Sequence, residues 1–240
     1  MFMNAEEMTD RVALITGASS GIGAATARHL AGLGMRVTLV ARRAARLQEM
    51  VRELSPERAL AIEGDINDPH LIGQALASTR SVFGRCDVVI NNAAAFAVGP
   101  VAKLDAERIC NLARTNVEAA YRVAYEAICF FQQQGSGDLV NLSSISGTKV
   151  ARAGIGWYAG TKHALEALTE SLRMECADTG VRVSCVEPGM TQTEIFGEPI
   201  TSISRPLAPE DVAATIAFLL SAPRHVTIPR LMVLPSSQAI

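Results

Sequence analysis

Thr16-Gly-Ala-Ser-Ser-Gly-Ile-Gly23 is the stretch on which the reading of this chain turns. An apolar run, Arg11–Thr16, leads into it, and a helical pattern, Gly21–Leu33, leads out. Glycines at 17, 21 and 23 permit a tight turn, close approach of backbone to a ligand, and close packing of a helix on a strand. A helix that begins here presents free N–H groups and the positive end of its dipole to an anion. Ser19 and Ser20 add two hydroxyls, and Ile22 lies between the last two glycines. Strand, glycine loop and helix in that order predict a cradle for a nucleotide pyrophosphate, whereas three glycines without that context make only a turn.

Working outward, short apolar runs alternate with longer amphipathic ones. Strands are predicted at Arg11–Thr16, Arg36–Val40, Ala59–Glu63, Asp87–Asn91, Asp138–Ser143, Val181–Glu187 and Leu231–Leu234. Helices are predicted at Gly21–Leu33, Arg43–Leu54, Pro69–Phe83, Asp105–Gln134, Tyr158–Thr179 and Pro209–Ser221. The strands are nearly unbroken apolar runs, as in a parallel sheet covered on both faces. Repeated β-α alternation predicts an α/β fold with a doubly wound parallel sheet of about seven strands. No repeat or Pro/Ser-rich linker interrupts it. One domain is expected over 1–240, with a flexible segment at 1–9.

Composition excludes several function classes. With 49% hydrophobic residues and a net charge of −2, disorder is not the dominant state. Lys+Arg at 22 against Asp+Glu at 24 gives no basic excess for nucleic acid. The five cysteines are scattered without a C-x-x-C pair, so a reducing cytoplasm is expected, and no metal. Residues 1–10 are acidic and lack the basic and apolar regions of a signal peptide. No apolar run reaches the ~18 residues of a membrane span. Asn141-Leu-Ser143 is a formal glycosylation sequon, but it falls in a predicted core strand.

Candidate chemistry gathers at the carboxyl ends of the predicted strands, where open α/β sheets bind ligands. The second strand ends in Ala41-Arg42-Arg43, without the carboxylate that would hold the ribose 2′-OH of NAD. A guanidinium there suits a 2′-phosphate, so NADP(H) is expected, with Arg42 favoured over Arg43. Alternatively, both arginines simply begin a solvated helix with Arg46. Tyr158 and Lys162 stand four apart on a predicted helix and share a face. An ammonium beside a phenol favours the phenolate, which suits general acid/base work. Ser143 and Ser144 close the fifth strand.

In this order, these motifs resemble those of the short-chain dehydrogenase/reductase family over most of the chain, to about residue 235. The likeness rests on Thr16-Gly-x-x-x-Gly-x-Gly23, Asp65, Asn91-Asn-Ala-Ala94, Tyr158-Ala-Gly-Thr-Lys162 and Glu187-Pro-Gly189. The resemblance implies a Rossmann fold and hydride transfer between NADP(H) and a carbonyl or alcohol. Tyr158 would be the general acid/base, Lys162 would tune it and bind ribose, and Ser144 would polarise the carbonyl. Ser146 is the rival under another alignment. Asn116 would hold a water linking the lysine to solvent. By the same likeness Asp65 and Ile66 would meet adenine, and Asn92, Ala93 and Ala94 would line the cofactor. Pro188, Gly189, Thr191 and Thr193 would approach the nicotinamide and phosphates, Thr191 being favoured over Thr193. Asp65 has a competing reading as a helix cap with Asn67 and Asp68. Relatives assemble as homotetramers or homodimers through two long helices, here Asp105–Gln134 and Tyr158–Thr179. On the first of these, Ala124, Ile128 and Phe131 suit core or partner equally.

The sequence departs from the family pattern in three places. Ser144 and Tyr158 enclose one residue more than is usual, an insertion assigned to Lys149–Gly156. Ala94 replaces a glycine, and Gly160 inside Tyr-x-x-x-Lys costs about 1 kcal/mol of helix propensity, for which close packing would be a reason. Ala95, Phe96, Ile145, Ser146, Trp157, Met190, Ile195 and Phe196 are expected to line the pocket, with core packing the alternative for Trp157. The short 197–207 segment suggests a small or open site, and local likeness to 3-hydroxy-acid and clavulanate-type dehydrogenases suggests a small polar substrate. Two other functions compete: a non-catalytic NADP(H)-binding sensor on the same fold, and a reductase of carrier-bound 3-oxoacyl groups.

Overall fold

The computed structural model describes residues 8–197 and 200–238. Most of the segment expected to be flexible, 1–7, lies outside these residues; Met8, at its end, is already buried in the core. The chain alternates as β1 (Val12–Thr16), α1 (Gly21–Gly32), β2 (Arg36–Ala41), α2 (Ala44–Leu54), β3 (Ala59–Glu63), α3 (Leu71–Phe83) and β4 (Val88–Asn91). Then follow α4 (Ala106–Ala113), a π-helical turn (Arg114–Ala119), α5 (Ala120–Gln134), β5 (Gly137–Leu142), α6 (Gly156–Glu175), β6 (Val181–Pro188), α7 (Pro209–Leu220) and β7 (Arg230–Val233).

All seven strands pair in parallel in the order β3-β2-β1-β4-β5-β6-β7. Chain direction across the sheet reverses between β1 and β4, so a crevice opens beyond their carboxyl ends. Successive side chains of a strand point to opposite faces. Ala13 and Ile15 of β1 therefore join one core with α1, α2 and α7, and Leu14 joins the other with α3 and α5. Every residue of β1, β4, β5 and β6 is buried, which is why these segments read as continuous apolar runs. The tail strand β7 is an edge, paired only with β6 as expected.

Two polar groups of β5 are paired across the sheet. Asp138 of β5 is 2% exposed and holds Arg182 of β6 at 2.6 Å, Arg224 at 2.8 Å, and Arg11. Burial pushes its carboxyl upward, but the Arg182 hydrogen bond and the three guanidinium charges outweigh that and hold it below the usual range. Asn141, fully buried in β5, donates to Thr169 and accepts from Asn91, so the formal sequon is core.

Several boundaries differ from the sequence reading. The long helix predicted over Asp105–Gln134 is broken by the π turn, where one residue too many is accommodated by widening rather than by a loop. Helix α6 begins at Gly156 and stops at Glu175, before Thr179, whose amide and hydroxyl both return to the Cys176 carbonyl. Gly160 has no close-packing reason, since a Cβ there would meet nothing within 4 Å. Ala124, Ile128 and Phe131 are all core residues. Helix α7 starts as expected, with Pro209 in its first turn and Asp211 accepting from the Ala208 amide at 2.8 Å.

Candidate active site

The glycine loop sits in the crevice between β1 and β4, and its shape depends on what touches it. Gly17 has φ +67°, and a Cβ there would fall 2.8 Å from Asn92 Nδ2. At Gly23 a Cβ would lie 2.5 Å from the Gly17 carbonyl oxygen and 2.6 Å from Asn92 Nδ2. Thr16 fixes the far wall: its hydroxyl accepts from the amides of Asn92 and Ala93, both at 3.0 Å. Asn92 in turn donates to the Thr16 carbonyl at 2.8 Å, so its side chain faces the protein. Ser20 caps α1 in extended conformation without a side-chain hydrogen bond to the helix, and the first turn carries no acidic residue. The helix N-terminus is thus left to an external anion. Ile22 packs against the core beneath.

At the end of β2 the two arginines differ. Arg43 bends over the glycine loop, donating to Ser19 Oγ at 3.0 Å and to Ser20 Oγ. Arg42 is 77% exposed, and its one ion-pair partner among the described residues is Asp65 at 4.0 Å. The favoured arginine is therefore the less organised of the pair. Asp65 is no helix cap: its carboxylate accepts from the amide and side chain of Asn67, a local turn. Ile66 is partly buried against the core under α3.

Beyond β5, Ser144 lies close enough to Tyr158 for its hydroxyl to favour the phenolate. Ser144 Oγ also accepts from the Ser146 amide at 3.1 Å, while the Ser146 side chain is buried. The stretch to which the sequence assigns the extra residue, Lys149–Gly156, is irregular up to the first residue of α6. Burial pushes the Tyr158 phenol up to about 12, with the Ser144 hydroxyl acting downward. One turn along α6, Lys162 is 4% exposed, with Nζ 5.9 Å from the centroid of the Tyr158 ring. Its ammonium donates to the Leu142 carbonyl at the end of β5, at 2.7 Å. Burial brings Lys162 down to about 8, against the upward pull of Cys185 and Glu166.

Asn116, in the π turn, is 1% exposed and its amide is fully engaged. It accepts from the Ala95 amide at 2.7 Å and donates to the Ala95 carbonyl at 3.0 Å and to Thr161 at 3.2 Å. That staple fixes the residue before Phe96, whose ring stands edge-on to Tyr158 at 5.0 Å and to Phe196 at 4.9 Å. Trp157 is 44% exposed and Ile195 43%, so neither is core. Ala94 and Ala95 are half-buried beside them.

After Pro188 closes β6, the expected nicotinamide contacts face inward. A Cβ on Gly189 would strike Gln238 Oε1 at 2.4 Å, so the space beside it belongs to the chain's own tail, which also accepts from the Met190 amide at 2.8 Å. Thr191 is 3% exposed and donates to the Gly189 carbonyl. Thr193 lies over the loop, its methyl 3.2 Å from where a Gly21 Cβ would stand.

Two groups of residues had no signal in the sequence. Behind Lys162, Glu166, Cys185 and Glu187 cluster in the interior with Arg230, whose Nε is 2.6 Å from Glu187. Burial and the neighbouring Glu166 raise the Glu187 carboxyl to about 7. Across the glycine loop, Glu194 pairs with Arg43 at 2.9 Å and Arg46 at 2.7 Å, partners about 150 residues away in the chain.

Comparison with known proteins agrees with this geometry. A family model for short chain dehydrogenases matches residues 11–201. An uncharacterized oxidoreductase of Staphylococcus aureus (strain USA300) is 31% identical over 228 residues, covering 95% of this chain and 98% of that one. A 3-ketoacyl-(acyl-carrier-protein) reductase from Brucella melitensis complexed with NADH superposes with a TM-score of 0.87 at 28% identity, covering 96% and 99%. The closed form of a serine dehydrogenase complexed with NADP+ gives 0.89 at 26%, covering 95% and 96%. A seven-stranded parallel sheet, a glycine loop at its reversal point, and a family match reaching from β1 past β6 lead to one conclusion: the chain belongs to the short-chain dehydrogenases.

Proposed function

We propose that this oxidoreductase interconverts a small carbonyl compound and its alcohol with NADP(H), Tyr158 serving as general acid/base. The observation that carries the reading is a half-buried Tyr158 near Ser144 whose ring centroid lies 5.9 Å from the buried ammonium of Lys162, one helical turn on. The loop fits a dinucleotide: a Cβ at Gly17 or Gly23 would strike Asn92 or the Gly17 carbonyl and spoil the loop's shape, and the α1 N-terminus has no side chain bonded to its amides. Gly17–Gly23 would hold the pyrophosphate, and Arg43, flanked by Arg42 and Arg46, the 2′-phosphate. When bound, NADP(H) supplies or accepts the hydride.

The chain's own residues handle the proton. With its phenol near 12, Tyr158 is protonated at neutral pH and is ready to give a proton to a developing alkoxide. Ser144 donates to the same oxygen and stabilises its charge. The Lys162 ammonium lowers the cost of the phenolate left behind. Asn116 is a positioning residue, because its amide is occupied by Ala95 and Thr161. Phe96 stands against Tyr158 and is itself backed by Phe196, which favours a compact substrate. The serine dehydrogenase similarity supports a small hydroxy acid, and the reductase similarity keeps a carrier-bound 3-oxoacyl group as the second reading. We place the protein in the cytoplasm as a homo-oligomer of one-domain subunits.

NADPH oxidation over a panel of small ketones, aldehydes, 3-oxo acids and 3-oxoacyl carriers tests this. Turnover is expected on a small member of the panel, and Tyr158→Phe should lower it by about 10²–10⁴. Full turnover by that variant overturns the proposal. NADPH binding without turnover on any member would favour the sensor.

A further inference from the structure

Glu194 sits where a cofactor anion is expected. Its two carboxylate oxygens lie 2.7 and 2.8 Å from Arg46 Nη1, and one lies 2.9 Å from Arg43 Nη1. Arg43 is held for this contact by Ser19 and Ser20, the hydroxyls at the mouth of the phosphate loop. A single carboxylate thus neutralises both guanidiniums that overhang the loop. Glu194 also opens a short 3₁₀ turn, Glu194–Phe196, that spans the groove. At one end Thr193 rests over Gly21; at the other Phe196 packs on Phe96, which packs on Tyr158.

We infer that Glu194 is a coenzyme-discriminating residue: its carboxylate occupies the 2′-phosphate subsite at Arg43 and Arg46, and the 2′-phosphate of NADP(H) must displace it. The inference rests on the NADP(H) reading above. A phosphomonoester carries close to two charges and three acceptor oxygens against one charge and two oxygens for Glu194, so it wins both arginines and repels the carboxylate. NAD(H) has a 2′-hydroxyl and leaves the pairs intact. Glu194 therefore reduces the preference that two arginines alone would give. It also ties release of the 194–196 turn to the arrival of the phosphate, at the far end of the groove from Tyr158.

The test is fluorescence titration of NADPH and NADH into the wild-type chain and Glu194→Gln, which keeps shape and removes charge at an exposed position. Two exposed ion pairs are lost, so NADPH should bind about fivefold tighter, with NADH changing less than about twofold. Titration of Arg46→Ala is the second arm: it should weaken NADPH alone, and Glu194→Gln added to it should regain less than in the wild-type background. Unchanged or weaker NADPH binding by Glu194→Gln, or equal tightening of both coenzymes, overturns the inference. Failure of the wild-type chain to bind either coenzyme would instead sink the NADP(H) reading.

Discussion

Replacing Lys162 by methionine should stabilise the protein while abolishing its turnover. The lysine is 4% exposed, and burial brings its ammonium from 10.5 down to about 8. That fall corresponds to about 3 kcal/mol by which the folded interior disfavours the charged form at neutral pH. Methionine of similar volume removes the charge but leaves the Leu142 carbonyl without its 2.7 Å donor, a loss of about 1–2 kcal/mol. The net gain is about 1–2 kcal/mol, or about 2–8 °C in Tm for a chain of this size. Linkage fixes the sign of the pH dependence. Between about 8 and 10.5 the unfolded chain keeps a proton that the folded chain has released, so wild-type stability rises with pH through that window. The advantage of Lys162→Met is therefore complete below about 8 and fades toward 10.5. Paired thermal melts from pH 7 to 10.5 read it directly. A variant less stable than wild type at pH 7, or an advantage that does not shrink with pH, refutes the burial argument.

Two further outcomes follow from packing and charge. Asp138→Asn leaves Arg182 buried without its counter-charge and should cost about 3–5 kcal/mol in urea unfolding. Because the Asp138 carboxyl is held below its usual range, the wild-type advantage is present above about pH 4 and narrows as pH falls through the folded value. Gly23→Ala drives a methyl to 2.5 Å from the Gly17 carbonyl and should lose about 1–3 kcal/mol of stability together with most NADPH affinity, measured by melting and titration.

The alternation of strands and helices and the placing of the glycine loop were legible because both are written in local patterns. β1, β4, β5 and β6 are buried on both faces, so their apolar runs are unbroken, and Gly17 and Gly23 stand where backbone touches backbone. Tyr158 and Lys162 were legible because four residues on a helix make one face. What stayed hidden depends on contacts between distant segments. The sequence favours Arg42 over Arg43, but it is Arg43 that the serines of the glycine loop organise. Gly189 reads as a turn close to a flat ring, and nothing local announces that the side chain packed against it is Gln238, 49 positions later. Asn116 reads as a helix amide looking for water, but the widened turn aims it at Ala95 and Thr161.

That widened turn also limits how this part of the chain can change length. A π turn contains one residue more than the α-helix it interrupts, and each helical residue advances the face by about 100°. Deleting any single residue within Arg114–Ala119 would let α4 and α5 fuse into a regular helix, with α4 turned by that angle relative to the sheet. Leu112 would swing out of the interior, and Asn116 would lose its aim at the Ala95 backbone. The segment that looks most like an irregularity is thus the one least able to lose a residue, whereas the exposed 149–153 stretch can absorb an insertion without moving either core.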